Sequence, residues 1–384
     1  MAIDKFIQAG SPFKVFYPSD DYVIETENMT EAILNVWIYS GLQGDSNTFV
    51  GGNNVDASIA GESGDRTNAP TRTLKSTAVG SVGGRFVSFD IANLVKSKLK
   101  QEFQGTSLIS SVSNNPSTMV WVDYQLITKR GEVQSIHPLQ NCLGFDGYTY
   151  FEEGVNAQVP DGALISANTI SVVEGEELVI PVLLEGLNSV TFYNNSEGVV
   201  TPSTAITIAS STSSYDQIKY TGAIGVDSVQ IITDDLTRTI KINTLECNKH
   251  TPYKLSFLNR FGAVESLWFN GNNTESTMAK SKEYGRVNTS SANGSEYNIS
   301  RASRYKQRMA SNKAMSLNSG FYPEGCNSSF EELIDSTEVW IEKDGLVLPV
   351  NIKNSSFNKK TELNDNAINY TINIEYAFNK INNI

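Results

Sequence analysis

Ile170-Ser171-Val172-Val173-Glu174-Gly175-Glu176-Glu177-Leu178-Val179-Ile180-Pro181-Val182-Leu183-Leu184 holds two apolar runs on either side of an acidic turn. Both runs are too short for a helix, are rich in Val and Ile, and are bounded by turn residues, so each reads as a buried strand. Together they read as a hairpin entering a sandwich. Further strands are expected at Val190-Thr191-Phe192-Tyr193, Ala205-Ile206-Thr207-Ile208, Gln217-Ile218-Lys219-Tyr220, Ser228-Val229-Gln230-Ile231-Ile232 and Arg238-Thr239-Ile240-Lys241-Ile242. Short strands at this spacing, with no helical period between them, predict an immunoglobulin-like β-sandwich over 150–246.

Towards the carboxyl end, 247–384 reads as a mixed β module. Asn259-Arg260-Phe261-Gly262 is expected to turn between Tyr253–Leu258 and Val264–Phe269, with Phe257 and Trp268 packed and Arg260 pointing outward. Ser329 and Glu332 fit a capping box ahead of Leu333 and Ile334. Lys343-Asp344-Gly345 separates two strand-like runs, and Asp-Gly is a strong hairpin turn. The last strand, 368–378, alternates Ile368, Tyr370, Ile372, Ile374 and Tyr376 against Asn, Thr and Glu. That alternation demands one buried face, or one face waiting for a partner.

On the amino-terminal side, 1–149 reads as a β-rich domain with one helix. Strands are expected at Phe13-Lys14-Val15-Phe16-Tyr17, 32–39, Phe86-Val87-Ser88-Phe89 and 119–127, the last with Val120, Val122, Tyr124 and Leu126 on one face. Asp90 is positioned to cap a helix over 91–103, with Ile91, Leu94, Val95 and Leu99 at helical spacing. The segment 41–84 is rich in Gly, Ser, Asn, Asp and Thr and reads as a long loop or arm, ordered against neighbouring subunits. The same reading applies to 270–298. The fold class expected is therefore mainly β: several immunoglobulin-like or β-sandwich modules with few short helices.

The 384 residues carry a formal charge of −12, which argues against nucleic acid or an anionic membrane as partner. No apolar run approaches the length of a membrane span. The amino terminus lacks the basic and apolar regions of a secretion signal, so synthesis and folding in a cytoplasm are expected. Cys142, Cys247 and Cys326 are odd in number and widely spaced, which gives neither a disulfide framework nor a zinc pattern. Against the acidic background, Arg301-Ala302-Ser303-Arg304-Tyr305-Lys306-Gln307-Arg308 is basic. It reads as a solvated helical face or as a contact to an acidic neighbouring subunit.

Catalytic chemistry needs positioned acids, bases or nucleophiles. The two histidines, His137 and His250, have no Cys, Ser or carboxylate at motif spacing. Asp234-Asp235 and Glu176-Glu177 fall in turns, where acidic residues are ordinary. The glycine pairs lack a phosphate loop's context, and no acidic loop has EF-hand spacing. No enzyme activity, cofactor or metal is expected. Only an acid pair assembled at long range, as in a glycosidase, would escape this reading.

Tyr253-Lys254-Leu255-Ser256-Phe257-Leu258-Asn259-Arg260-Phe261-Gly262 and Asn369-Tyr370-Thr371-Ile372-Asn373-Ile374-Glu375-Tyr376-Ala377 resemble segments of virion structural proteins of tailed bacteriophages that infect Bacteroidetes, including crAss-like phages. The run from Leu34-Asn35-Val36-Trp37-Ile38-Tyr39 to Phe89-Asp90-Ile91 resembles them more loosely. The resemblance covers about a third of the chain. It implies a component of the tail or head–tail junction (a ring, collar or hub-like piece) that is made in the host cytoplasm and incorporated into the virion tail. The implied partners are further copies of the chain and other tail or connector proteins, and Arg260, Trp268, Arg301, Arg304 and Tyr376 are the candidate subunit contacts. The rival expectations are a carbohydrate-binding β-sandwich for host-surface attachment and a polysaccharide-degrading tail enzyme. A lectin would expose aromatic platforms on one sheet face.

Overall fold

The computed structural model describes residues 5–18, 29–39, 70–79, 86–99, 103, 119–156, 162–183, 187–196, 199–207, 215–221, 226–234, 237–245, 250–287, 302–354, 356–360 and 367–379. Most of these residues lie in strands, and the α-helices are two short ones. The chain is thus mainly β, as its period-2 patterning requires.

The first part contains β1 (Lys5–Gln8), β2 (Lys14–Pro18), β3 (Glu31–Tyr39), β4 (Arg72–Thr77), β5 (Phe86–Asp90), α1 (Ala92–Lys96), β6 (Met119–Arg130), β7 (Val133–Ile136) and β8 (Gln140–Phe145). One sheet runs β1-β8-β6-β3-β4, with β7 added to β6, and β2 pairs with β5 across from it. Val15, Val87 and Phe89 of the facing pair pack on Leu34, Val36, Val120, Val122 and Tyr124 of the larger sheet. Asp90 does accept the Ala92 N–H at 3.1 Å, yet α1 is five residues long rather than extending to 103. Phe103 lies outside it, 5.1 Å from the ring of Trp340. The long-loop reading of 41–84 also needs correction, because Arg72–Thr77 is a strand in register with β3. Within 41–84 the structure describes only 70–79.

The second part contains β9 (Thr169–Val173), β10 (Glu177–Leu183), β11 (Leu187–Ser196), β12 (Val199–Thr207), β13 (Tyr215–Thr221), β14 (Val226–Thr233) and β15 (Thr237–Leu245). Its larger sheet runs β12-β11-β14-β15-β9, and β10 pairs with β13 opposite. The expected 170–184 hairpin is not one. β9 and β10 belong to different sheets, so the acidic turn carries the chain across the core, where Ile170 and Val172 join Leu178, Ile180 and Val182. Two apolar runs joined by a tight turn look the same in sequence whether they pair edge to edge or face each other.

The two parts share one strand order. In each, the first strand runs parallel to the last, β1 with β8 and β9 with β15. In each, the second and fifth strands form the facing pair. This is the order of an immunoglobulin-like sandwich, present twice in tandem.

The third part contains β16 (Tyr253–Leu258), β17 (Val264–Phe269), β18 (Thr274–Gly285), β19 (Arg304–Asn318), β20 (Tyr322–Pro323), α2 (Asn327–Asp335), β21 (Val339–Lys343), β22 (Leu346–Ile352), β23 (Ala367–Ile368) and β24 (Thr371–Tyr376). Seven strands form one antiparallel sheet, β17-β16-β21-β22-β24-β19-β18. Phe330 and Leu333 of α2, with Tyr322 and Ile368, cover one face. Asp344 and Gly345 both have positive φ, +52° and +75°, as a two-residue hairpin turn requires. β24 buries Ile372, Ile374 and Tyr376 and lies inside the sheet between β22 and β19, so its register has partners on both sides. The 270–298 segment is not a loop throughout, since 274–285 is β18. The basic run is not helical either, since 304–308 opens β19.

Candidate functional site

The 259–262 turn between β16 and β17 is where all three parts meet. Asn259 is 1% exposed, and its side chain is fully used. Its Oδ1 accepts the N–H groups of Phe261 and Ala263, both at 3.1 Å. Its Nδ2 donates to the Leu164 carbonyl at 2.7 Å and to Glu265 Oε2 at 3.1 Å. Gly262 sits at φ +77°, and a Cβ there would lie 2.8 Å from backbone atoms of Asp146 and Gly147. Gly147 in turn approaches Arg260 and Phe261 so closely that its own Cβ would lie 2.4 Å from the Arg260 carbonyl. Two glycines thus let two backbones touch.

Around this contact a shared apolar core forms. Met119, Trp121, Leu143 and Phe145 come from the first sandwich, Leu164 and Leu183 from the second, and Phe261 and Ala263 from the turn. The alternation of β6 explains this. Val120 and Val122 face the sandwich's own core, while Met119 and Trp121 face the turn. A second seam joins the second sandwich to α2: Cys326 Sγ donates to the Thr169 carbonyl at 3.2 Å.

Arg260 is therefore not an outward-pointing contact. Its carbonyl accepts from Tyr148 N at 2.7 Å and from Gln8 Nε2 at 3.0 Å, and its N–H donates to Glu332 Oε2 at 3.1 Å. Its guanidinium pairs with Glu153 and lies 4.9 Å from the Tyr150 ring centre. The correction has a physical reason: an aromatic and acidic segment, 148–153, folds over the turn and supplies inside the molecule the carboxylate expected from a neighbour. Trp268 and Tyr376 are 4% and 5% exposed and belong to the core of the seven-stranded sheet. The Trp268 N–H of the backbone donates to Tyr322 Oη, and Tyr376 Oη reaches Met315 Sδ at 3.3 Å. Neither is available to a subunit. Arg304 is exposed, opposite Gly285 at the far end of β19. Arg301 lies outside the described residues.

The junction holds two buried carboxylates that sequence reasoning missed. Glu265 and Glu332 are 4% and 1% exposed. Glu265 accepts from Ser329 Oγ at 2.5 Å as well as from Asn259. Burial pushes its carboxyl above the ordinary range, partly offset by these hydrogen bonds and by Arg238. Burial and the neighbouring Glu265 push Glu332 up to about 8. Arg238 donates to the carbonyls of Ala163, Ile165 and Ala167, clamping the entry to the second sandwich. The capping-box expectation fails here: Ser329 and Glu332 lie within α2, and both serve the junction instead of the helix end. The available signal was Glu265 itself, a carboxylate inside the apolar run Ala263–Phe269.

Neither carboxylate lines the adjoining cleft of about 180 Å³. That cleft is lined by Lys96, Asp146, Tyr148, Asn259, Asp335 and Thr337 among others, with Lys96 and Asp146 3.4 Å apart. Among the described residues no cluster of His, Cys, Asp or Glu fits a metal ion, and no helix is long and apolar enough to cross a membrane. His137 meets Thr128 Oγ1 at 3.0 Å, and burial lowers its pKa.

Two surface features stand apart from the junction. β24 pairs with β19 only over Ala314–Asn318, whereas β18 pairs with β19 along its whole length to Gly285 and Arg304. The β18–β19 hairpin therefore projects beyond the sheet as a two-stranded ribbon. Tyr284 and Tyr305 stack across it at 5.7 Å. On the β2–β5 pair, Phe16 and Phe86 are 56% and 38% exposed with rings 5.3 Å apart.

No family model and no curated protein matches the chain. Among solved structures, the chain is similar to the polymeric immunoglobulin receptor ectodomain of a teleost fish, at 10% identity and a TM-score of 0.20, covering 65% of this chain and 98% of that one. It is also similar to trypsin-activated alpha-2-macroglobulin from Escherichia coli, at 8% identity and a TM-score of 0.19, covering 85% of this chain and 23% of that one. Likenesses at these scores carry no functional argument.

Proposed function

We propose that the chain is a structural component of a bacteriophage virion, in the tail or head–tail junction, and that it acts through oligomeric assembly rather than catalysis. The observation that carries assembly is the projecting β18–β19 ribbon. Among the described residues the distal strands of this hairpin pair only with each other, and isolated two-stranded ribbons are marginal in water. A partner surface supplies the missing burial. The three parts knitted at the 259–262 turn support the same reading, since they give the ribbon a rigid base. The bacteriophage assignment rests on the sequence resemblance. Mass spectrometry of purified virions, together with mass photometry of the isolated protein, tests the proposal. A strictly monomeric protein absent from particles would sink it.

A carbohydrate-binding module for host-surface attachment is the second reading, and Phe16 with Phe86 favours it. Adjacent exposed rings on one sheet suit stacking against sugar faces. A glycan array with Phe16→Ala and Phe86→Ala separates the two: glycan binding lost in both variants, by a monomeric protein, selects this reading.

A further inference from the structure

The ribbon and the junction lie at opposite edges of the seven-stranded sheet, and their charges are opposite. β18 is one edge strand and β17 the other. Between residues 280 and 308 there are seven Lys or Arg against two Glu, a local +5 on a chain of net −12. The pairing register sorts these charges. Glu283 opposes Lys306 and Gly285 opposes Arg304, so Arg304 and Lys306 share one face of the ribbon, while Lys282 and Arg286 share the other. Alternate residues of a strand stand about 7 Å apart, so Arg304 and Lys306 are neighbouring cations on their face. Arg304 and Lys306 are exposed, as are Lys282 and Arg286. None of these four forms an ion pair among the described residues. Lysines on an edge strand often serve only to block unwanted pairing. Here the cations stand on both strands of the ribbon and on both of its faces, and two of the four are arginines.

At the other edge, beside the 259–262 turn, the carboxylates are in excess. Lys96 is taken by Asp146 and Arg260 by Glu153. Glu152 and Asp335 are exposed, Glu331 and Glu338 are half-buried, and none of the four has an ion pair among the described residues. They form one field: Glu331 and Asp335 both act on the Tyr150 hydroxyl, and Glu338 feels Asp146. Phe151, next to Glu152 and Tyr150 in the chain, stands fully exposed, at 102%. A fully exposed apolar ring on an acidic surface is an incomplete interface.

We propose that the basic β18–β19 ribbon docks onto the surface of Glu152, Glu331, Asp335 and Glu338 of a second copy of this chain, with Phe151 inside the contact. Two different patches on opposite sheet edges make the contact heterologous, so copies join head to tail and close into a ring or extend as a filament. The inference rests on the assembly reading above and names its surfaces.

Full-length protein is compared by mass photometry and sedimentation at low salt and at 0.5 M salt. The variants are Arg304→Glu with Lys306→Glu on one face of the ribbon, Lys282→Glu with Arg286→Glu on the other, and Glu331→Lys with Asp335→Lys on the acidic patch. The wild type is expected to associate more strongly at low salt, because opposite surface charges are screened as salt rises. Each charge reversal should weaken self-association at least ten-fold while leaving the circular-dichroism melt unchanged. Mixing a ribbon variant with the patch variant should restore association. If both ribbon variants assemble like the wild type, the inference falls and the assembly reading stands. A wild type that is monomeric under all conditions overturns both. Ribbon variants that lose binding to a single-stranded oligonucleotide, with self-association intact, would reassign the ribbon to nucleic acid.

Discussion

At the residue scale, the junction depends on atoms that are missing as much as on those present. Gly262 combines a positive φ with backbone neighbours 2.8 Å from any Cβ, whereas Gly175 has φ +80° and open space around it. Gly175→Ala should therefore cost about 1–2 kcal/mol, the left-handed penalty alone. Gly262→Ala should cost roughly 3 kcal/mol or more, since the Asp146–Gly147 backbone must also move. Urea denaturation of the two variants checks this, and equal costs would mean that the close approach is not needed. Glu332 offers a pH test. Its folded carboxyl holds a proton up to about pH 8 against an ordinary value of 4.5, so the folded state binds more protons than the unfolded one in that window. Stability should then fall as pH rises through the window, with a slope of at most about 1.4 kcal/mol per pH unit from this group. Glu332→Gln keeps an acceptor for the Arg260 N–H and should flatten the slope, raising the melting temperature at pH 8 more than at pH 5. Arg260, read in sequence as an outward cation, shows why such residues mislead. Its charge is legible, but its partner Glu153 lies 107 positions away along the chain.

At the element scale, strand patterning was the most readable property. β24, the β21–β22 hairpin and the strands of the second sandwich follow from alternation and from turn chemistry at Asp344-Gly345. What alternation leaves open is pairing. β9 and β10 carry the same signature as a hairpin yet face each other across a core, and β18 and β19 form a ribbon from a segment too polar to suggest strands. Polar strands bury little, so they leave no apolar period to read. The ribbon also makes a prediction about independence. Among the described residues the strands of its distal half pair only with each other, and Ser281 and Arg308 are register partners. Replacing residues 282–307 by Asn-Gly, a good two-residue turn, should leave the thermal midpoint within about 3 °C of the wild type. Circular-dichroism melting decides this, and a large loss would show that the ribbon supports the sheet.

At the scale of the whole molecule, one small core ties the three parts together. Phe261 joins residues of both sandwiches there. Phe261→Ala should cost about 3–5 kcal/mol, and it should split a single calorimetric transition into at least two. One sharp transition in the variant would mean that the parts are coupled elsewhere, with the Cys326–Thr169 seam as the next place to test.

Sequence alone determined that the chain is β-rich, where most strands run, and that a turn falls at 259–262 with Phe257 and Trp268 packed beside it. Those features are local, written in alternation and in Gly, Asn and Asp at turns. Only the tertiary structure decided that the first two parts repeat one strand order, because the repeat lies in pairing and not in residue identity. It alone placed Glu265 and Glu332 side by side in the interior, turned Arg260 inward, and left a basic ribbon and an acidic edge facing away from each other. Each of these is a meeting of residues far apart in the chain, and close packing in three dimensions, not period along the sequence, sets such meetings.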